Sequence, residues 1–305
     1  MLDRASTFAH PEIVDLLKKR FIPVAIDQAC QRRQKDTEGD FYRRIAMQSP
    51  RNDFDRTTQG FYIVDASGLL LLYNNNRDPE KLLRLMRERL EGYSDEPPKA
   101  AAVASLDGKR TVDRRYGIAA PEGGLVVRVN AKVLDGYEPT SDRWREIFQS
   151  AVSRDNLWIT AAEADSLSKL NFPDSLLKRI CRFHLVDNTR GEPDMWKPSE
   201  IERADIVIDD QGKMSGRARL ATRDGNRGYD AELRGELKVE DGKVAKFELV
   251  ALGDHLGEGR YTRGAPKGRF PLAIALTLAD GTDIADPLPP QGARGWLDGY
   301  LRSTR

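Results

Sequence analysis

Gly60-Phe61-Tyr62-Ile63-Val64-Asp65-Ala66-Ser67-Gly68-Leu69-Leu70-Leu71-Leu72-Tyr73 reads as a β-hairpin: two apolar runs joined by Ala66-Ser67-Gly68, with glycine at the turn. Helical patterns flank it. From Pro11 to Arg20, Ile13, Val14, Leu16 and Leu17 share one face, and Pro11 suits a first helical turn. The following run, Phe21-Ile22-Pro23-Val24-Ala25-Ile26, has the pattern of a buried parallel strand over 21–27. Pro23 cannot donate to a ladder and moves that strand toward a sheet edge or a late start. A second helix is predicted over 39–48. After the hairpin, Leu82, Leu83, Leu85, Met86 and Leu90 make the apolar face of a third helix, over 79–90.

A chain of 305 residues is too long for one ordinary core, so two domains are expected. Lys and Arg number 49 against 48 Asp and Glu, so no global field favours nucleic acid or an anionic membrane, and neither is expected as a partner. No apolar run approaches the roughly 20 residues of a membrane helix. Met1-Leu2-Asp3-Arg4 lacks the apolar core of a secretory signal, which makes the cytoplasm the expected location. Two cysteines, Cys30 and Cys181, are too few for a disulfide framework and too distant in sequence for a zinc motif.

Ser94-Asp95-Glu96-Pro97-Pro98-Lys99 and the alanines after it read as a linker, 94–108, between a first domain over 1–93 and a second over 109–305. In the second domain the pattern turns to period two. Strands are predicted over 124–133, 204–209, 214–222, 229–239, 243–252 and 270–278. The short polar turns Asp209-Asp210-Gln211-Gly212, Asp224-Gly225-Asn226 and Glu240-Asp241-Gly242 imply an antiparallel meander. A helical insert at about 142–181 presents Trp144, Ile147 and Phe148 on one face. The fold class is therefore α+β: a small α/β domain, then a mainly antiparallel β domain.

The segments Val14-x-x-Leu17-x-x-x-Phe21-Ile22-Pro23-Val24-x-Ile26-Asp27 and Thr57-Thr58-Gln59-Gly60-Phe61-x-Ile63-Val64-Asp65-x-x-Gly68 resemble the thioredoxin-like superfamily. The resemblance covers somewhat over a quarter of the chain and implies a truncated thioredoxin-like domain. Two departures bear on chemistry. The family's cis-proline is replaced by Thr58-Gln59, and no Cys-x-x-Cys precedes Pro11. Dithiol exchange needs two thiols within bonding distance, so a redox-inactive domain is expected. The family's first strand is also absent. The short amino-terminal segment or the second domain covers the resulting gap, or the native product begins upstream of Met1.

Candidate chemistry concentrates in Arg182-Phe183-His184-Leu185-Val186-Asp187-Asn188-Thr189-Arg190-Gly191-Glu192. His184 and Asp187, read as the end of an alternating strand, converge with Arg190 and Glu192 in the following turn as a catalytic set. His255 lies in a second polar stretch, Gly253-Asp254-His255-Leu256-Gly257-Glu258. If the two stretches meet, His184, Asp187, His255 and Glu258 supply two nitrogens and two carboxylates, a donor set for a divalent metal cofactor. A structural reading competes: a good turn at 187–191, an Arg190–Glu192 ion pair, and a satisfied His184. The glycine-rich stretch 257–269 places Arg260, Arg263 and Lys267 where they can cradle an anion, or serve only as a solvated connection. Cys30, beside Arg32 and Arg33, is a candidate reactive thiol.

Two functions follow. The first is a non-redox binding or interaction protein, whose groove near residues 57–60 takes an extended protein or peptide partner. The second is a metal-dependent or acid/base enzyme with its site around His184 and His255. In either case, insulin reduction assayed with dithiothreitol should show no turnover above the uncatalysed rate. Turnover that disappears in Cys30→Ser would instead identify a one-thiol nucleophile.

Overall fold

A computed structural model describes residues 7–93, 113, 119–293 and 297–302. The fold class is α+β, and the described residues fall into two compact units, one within 6–118 and the other within 119–305.

In the smaller unit, helix α1 (Pro11–Arg20) is followed by the short α2 (Gln28–Gln31), α3 (Thr37–Ala46), the strands β1 (Phe61–Val64) and β2 (Leu70–Asn74), and α4 (Pro79–Glu91). The starts are set locally. Asp27, Asp36 and Asp78 each accept backbone N–H groups at a helix start, and Pro11 and Pro79 occupy first-turn positions where no N–H is required. Strands β1 and β2 pair antiparallel as a two-stranded sheet. A hairpin alone is marginal in water. Here Phe61 and Ile63 pack on a cluster of Ile13, Leu82, Leu83 and Met86, joined by Leu16, Leu17 and Phe21.

The strand expected over 21–27 is not formed. The segment joins no ladder, and Ile22 and Val24 are 92% and 73% exposed. Only Phe21 reaches the apolar cluster, as the continuation of the α1 face, and Pro23 offers no N–H to a neighbour. An apolar run is a necessary condition for a buried strand, and a paired neighbour is the other. The expected linker at 94–108 lies outside the described residues.

The larger unit is built on a seven-stranded sheet in the order β4-β3-β9-β8-β7-β6-β5. Its strands are β3 (Leu125–Val133), β4 (Asp155–Ile159), β5 (Ile201–Ile208), β6 (Lys213–Ala221), β7 (Gly228–Glu240), β8 (Lys243–Leu256) and β9 (Arg269–Leu278), and every pairing is antiparallel. The register aligns the apolar alternation across the sheet. One row runs Ala131–Ile274–Ala251–Leu233–Gly216, with its four side chains buried. The opposite parity carries charges that pair across and along strands, among them Arg217–Glu232, Arg219–Glu202 and Lys246–Glu236. One face packs and the other is solvated, as an antiparallel sheet permits.

Helices α5 (Arg143–Ser150), α6 (Ala161–Ser168), α7 (Asp174–Phe183) and α8 (Leu297–Arg302) complete the unit; α6 packs against β8, α7 against β5 and α8 against α7. The region read as a helical insert at 142–181 therefore also contains β4, whose five residues extend the sheet beyond β3. Two further readings are corrected. Strand β8 runs past residue 252 to Leu256, so His255 is a strand residue and not a loop residue. The alternation through His184 is not a strand: α7 reaches Phe183, and His184 is its C-cap.

Arg179 ties these elements together. Its side chain is fully buried, and its Nε–H donates to the Tyr300 carbonyl at 2.9 Å. Nη1–H donates to Glu163 at 2.6 Å and to the Trp158 carbonyl at 3.2 Å. Nη2–H donates to Glu163 at 3.0 Å and to the Leu301 carbonyl. Burial by itself would raise the Glu163 pKa, but the hydrogen bonds and charge of Arg179 hold it below the ordinary carboxylate value. Arg179→Met should leave that buried carboxylate uncompensated and lower stability in urea unfolding by about 3–5 kcal/mol. Adding Glu163→Gln should restore part of the loss. A single-variant loss under about 1 kcal/mol would contradict this assignment.

Candidate functional site

The polar stretch after α7 and the stretch after β8 do meet. Arg190 donates from Nε to the Thr262 carbonyl at 3.1 Å and from Nη1 to the Tyr137 hydroxyl at 2.6 Å. The Arg260 N–H donates to the Asp194 carboxylate at 3.1 Å. Gly191 lies so close to this second stretch that a Cβ there would fall 2.0 Å from the Tyr261 carbonyl oxygen, which only glycine avoids. Trp196 anchors the returning chain, with its indole N–H on the Leu185 carbonyl at 2.7 Å.

Between the two stretches lies a recess lined by Val186, Asp187, Pro193, Trp196, Arg227, His255, Gly259 and Thr262. It is small, about 10 Å³, which is room for one oxygen-sized group. The sheet puts His255 there. Counting inward positions along β8 gives Phe247, Leu249, Ala251, Gly253 and His255, and His255 faces Tyr229 on β7 and Phe270 on β9. Gly253 permits the close strand approach, since a Cβ would lie 1.9 Å from the Asp230 carbonyl oxygen. Read in the sequence as part of a polar stretch beyond residue 252, Gly253 and His255 are the last two inward positions of the strand.

The imidazole of His255 is buried, and its Nδ1 has no hydrogen-bond partner among the described residues. Burial pushes its pKa down to about 4; the Asp187 carboxylate opposes that shift, while Arg227, Arg190 and Arg269 reinforce it. At neutral pH it is an uncharged imidazole, able to accept a proton at one nitrogen and release one from the other.

The predicted residues divide. Asp187, Arg190 and His255 are brought together around the recess. Asp187 is held by the Thr189 N–H at 3.1 Å and hydroxyl at 2.7 Å, and it forms a buried ion pair with Arg190. The expected Arg190–Glu192 pair is replaced by this one, and Glu192 is exposed. His184 belongs to a different cluster. Its Nε2 lies 2.7 Å from the Tyr300 hydroxyl and its Nδ1 3.4 Å from the Asp155 carboxylate. Glu258 accepts the N–H groups of Gly264 at 2.7 Å and Ala265 at 3.2 Å, closing its own loop.

The four-ligand metal set is thus not assembled, and among the described residues no group of three or more His, Cys, Asp or Glu side chains is arranged to hold a metal ion. Arg260 stacks 5.1 Å from the Tyr261 ring, Arg263 is exposed, and Lys267 pairs with Glu138 at 3.0 Å. Arg260 and Lys267 thus turn to different partners and not to a shared cradle. Cys30 is half-buried in α2, and Cys181 is buried, with its thiol pushed up to about 12 by desolvation.

Arg227 was not singled out by its sequence context, Asp224-Gly225-Asn226-Arg227, which reads as a solvated turn. Its guanidinium stacks 4.1 Å over the Trp196 ring, and Nη1–H donates to the Asp194 carbonyl at 2.5 Å. No local pattern places a turn residue on a tryptophan 31 positions earlier, which is the gap between Arg227 and Trp196.

No family model matches the chain, and no solved structure matches it. Among curated proteins, the chain is similar to a protein named siroheme synthase from Azotobacter vinelandii, 26% identical over 204 residues, which cover 65% of this chain and 39% of that protein. Proteins of the same name from Pseudomonas putida (24% over 191 residues) and Stutzerimonas stutzeri (25% over 196 residues) match 61% and 62% of this chain and 37% of their own length. The chain thus spans under two fifths of the relatives it matches. These matches point to an enzyme-related function and overturn the expectation of a non-redox binding or interaction protein. In the segment 57–60, Thr58 is buried, with its N–H donated to Gln28 Oε1 at 3.1 Å and its hydroxyl 2.6 Å from that of Tyr42, while Thr57 and Gln59 are exposed.

A pH prediction follows from His255. The unfolded imidazole takes its proton near 6.5 and the folded one near 4. Between these values the unfolded chain binds more protons, so stability is full above about 6.5 and is lost as pH falls toward about 4. The difference is on the order of 3 kcal/mol. In chemical unfolding at a series of pH values, His255→Phe should lose this part of the slope. A slope unchanged from wild type would show that His255 is not buried in its neutral form.

Proposed function

We propose that this chain has an enzyme-related function connected with siroheme synthesis, and that its larger unit carries a proton-handling site at His255. The observation that carries the reading is a buried, neutral imidazole with an unpartnered Nδ1 on a recess shared with Asp187 and Arg227. Placing such a group in an apolar strand environment costs stability, and the cost is understandable where the imidazole serves a bound molecule. A neutral imidazole exchanges or orients a proton without presenting a charge, and the flanking Tyr229 and Phe270 rings, 5.7 and 5.2 Å away, exclude water from two sides. The names of the relatives support the enzyme class, while the residues named here supply the site. For the smaller unit the thioredoxin-like reading is retained as a proposal, supported by the helix–hairpin–helix order of residues 11–91.

A siroheme synthase must hold siroheme at the end of each turnover, so siroheme itself is the probe. Titrated into the full chain, it should produce a saturable change in its own absorbance and in tryptophan fluorescence. His255→Gln, with a melting temperature near that of wild type, should bind about tenfold more weakly, as expected for one lost hydrogen bond in a buried site. No saturable response in the wild-type protein would overturn the siroheme connection.

A further inference from the structure

Arg227 is held more firmly than a solvated arginine, yet it is not fully employed. Its side chain is 12% exposed, and its plane lies on Trp196. One N–H group of Nη1 is spent on the Asp194 carbonyl. The nearest carboxylate, Glu200, lies 3.9 Å from Nη2, outside hydrogen-bond distance. An arginine carries five N–H donors in a fixed planar fork, and stacking on an indole fixes the direction in which the unused donors point. The same recess presents His255, whose Nδ1 lacks a partner. Two independent features, a clamped cation with donors to spare and a buried unpartnered imidazole, therefore meet at one oxygen-sized space.

We propose that this recess binds the carboxylate group of a ligand, with the Arg227 fork receiving the carboxylate and His255 hydrogen-bonded to the oxygen that enters the recess. The inference deepens the proton-handling reading of His255 and rests on it for the role of the imidazole. A carboxylate is favoured over a phosphate or sulfate by size and by charge. The recess takes one oxygen, which a planar carboxylate can present edge-on, and a tetrahedral group would need room for a wider head. Asp187 lines the recess and Glu200 lies beside Arg227, so a single negative charge meets less repulsion than a dianion. Stacked arginine is well suited to this task, because guanidinium and carboxylate match as planar forks. Trp196, under Arg227 and on the wall of the recess, reports occupancy.

The test is a titration of the full chain with sodium acetate at constant ionic strength, read by tryptophan fluorescence, with sodium sulfate in parallel. Acetate should give a saturable change that sulfate does not. Arg227→Gln should weaken acetate binding at least tenfold, Arg227→Lys several-fold because the charge stays and the fork is lost, and Arg263→Gln, outside the recess, not at all. Absence of a saturable acetate response, an equal response to sulfate, or wild-type affinity in both Arg227 variants would overturn the inference. Melting temperatures of the variants identify any that fail to fold, and the Lys variant then carries the comparison. Siroheme binding tests the other reading separately. Arg227-dependent acetate binding without a siroheme response removes only the siroheme connection. A siroheme response sensitive to His255 but not to Arg227, with no acetate response, removes only the carboxylate assignment.

Discussion

A charge removed from water has to be answered by its surroundings, and in the larger unit the buried Arg179 is answered from three elements at once. Glu163 on α6 supplies the opposite charge, Trp158 on β4 supplies a carbonyl, and the α8 residues Tyr300 and Leu301 supply two more. Desolvating a guanidinium costs several kcal/mol, so any arrangement that withdraws one of these partners is penalised strongly. The carbonyls at the end of α8 have no partners within their own helix and carry its negative pole, so they are natural acceptors for this cation. The consequence is geometric: α7 is pinned in position and direction, and the chain leaving α7 enters the polar stretch 184–190 from a fixed point.

That stretch is unusual for a loop because every residue from 181 to 190 is buried. Buried polar groups must find partners, and here most do so within a few residues or on the facing strand end. Asp187 takes Thr189 and Arg190, Arg190 reaches Thr262 and Tyr137, and His184 is directed to Tyr300 and Asp155. The two histidines read as partners in one metal set thus serve different purposes. His184 joins the α8 contact beside Arg179. His255 stands at the inner end of a long strand, facing a recess, with a nitrogen left unpartnered. Each leaves its Nδ1 without a hydrogen bond; what separates them is place, since His184 is tied through Nε2 to Tyr300 while His255 lines the recess.

The smaller unit shows the complementary lesson. Its apolar cluster of Ile13, Leu82, Leu83 and Met86 was legible because each residue falls on a helical face of the expected period. The segment 21–27 has the composition of a core strand and is not one, since strand formation is a property of a pair. Where the pairing partner is a turn away, as with β1 and β2, composition suffices; where it has to come from elsewhere, it does not.

By itself the sequence determined the α+β class, the helix α1, the hairpin, the amphipathic α4 and the meander of strands β5 to β8, because periodicity and turn residues act over a few positions. It also determined which two polar stretches hold the candidate chemistry. Only the tertiary structure decided that β4 joins the sheet inside a supposed helical insert, that β8 continues to place His255 on the buried face, and that Arg227 stacks on Trp196. Each of these depends on contacts between residues far apart in the chain, whose distances no local pattern encodes. Which histidine lines the recess was decided in the same way, since a neighbour such as Tyr300, 116 positions from His184, is visible only once the chain has folded.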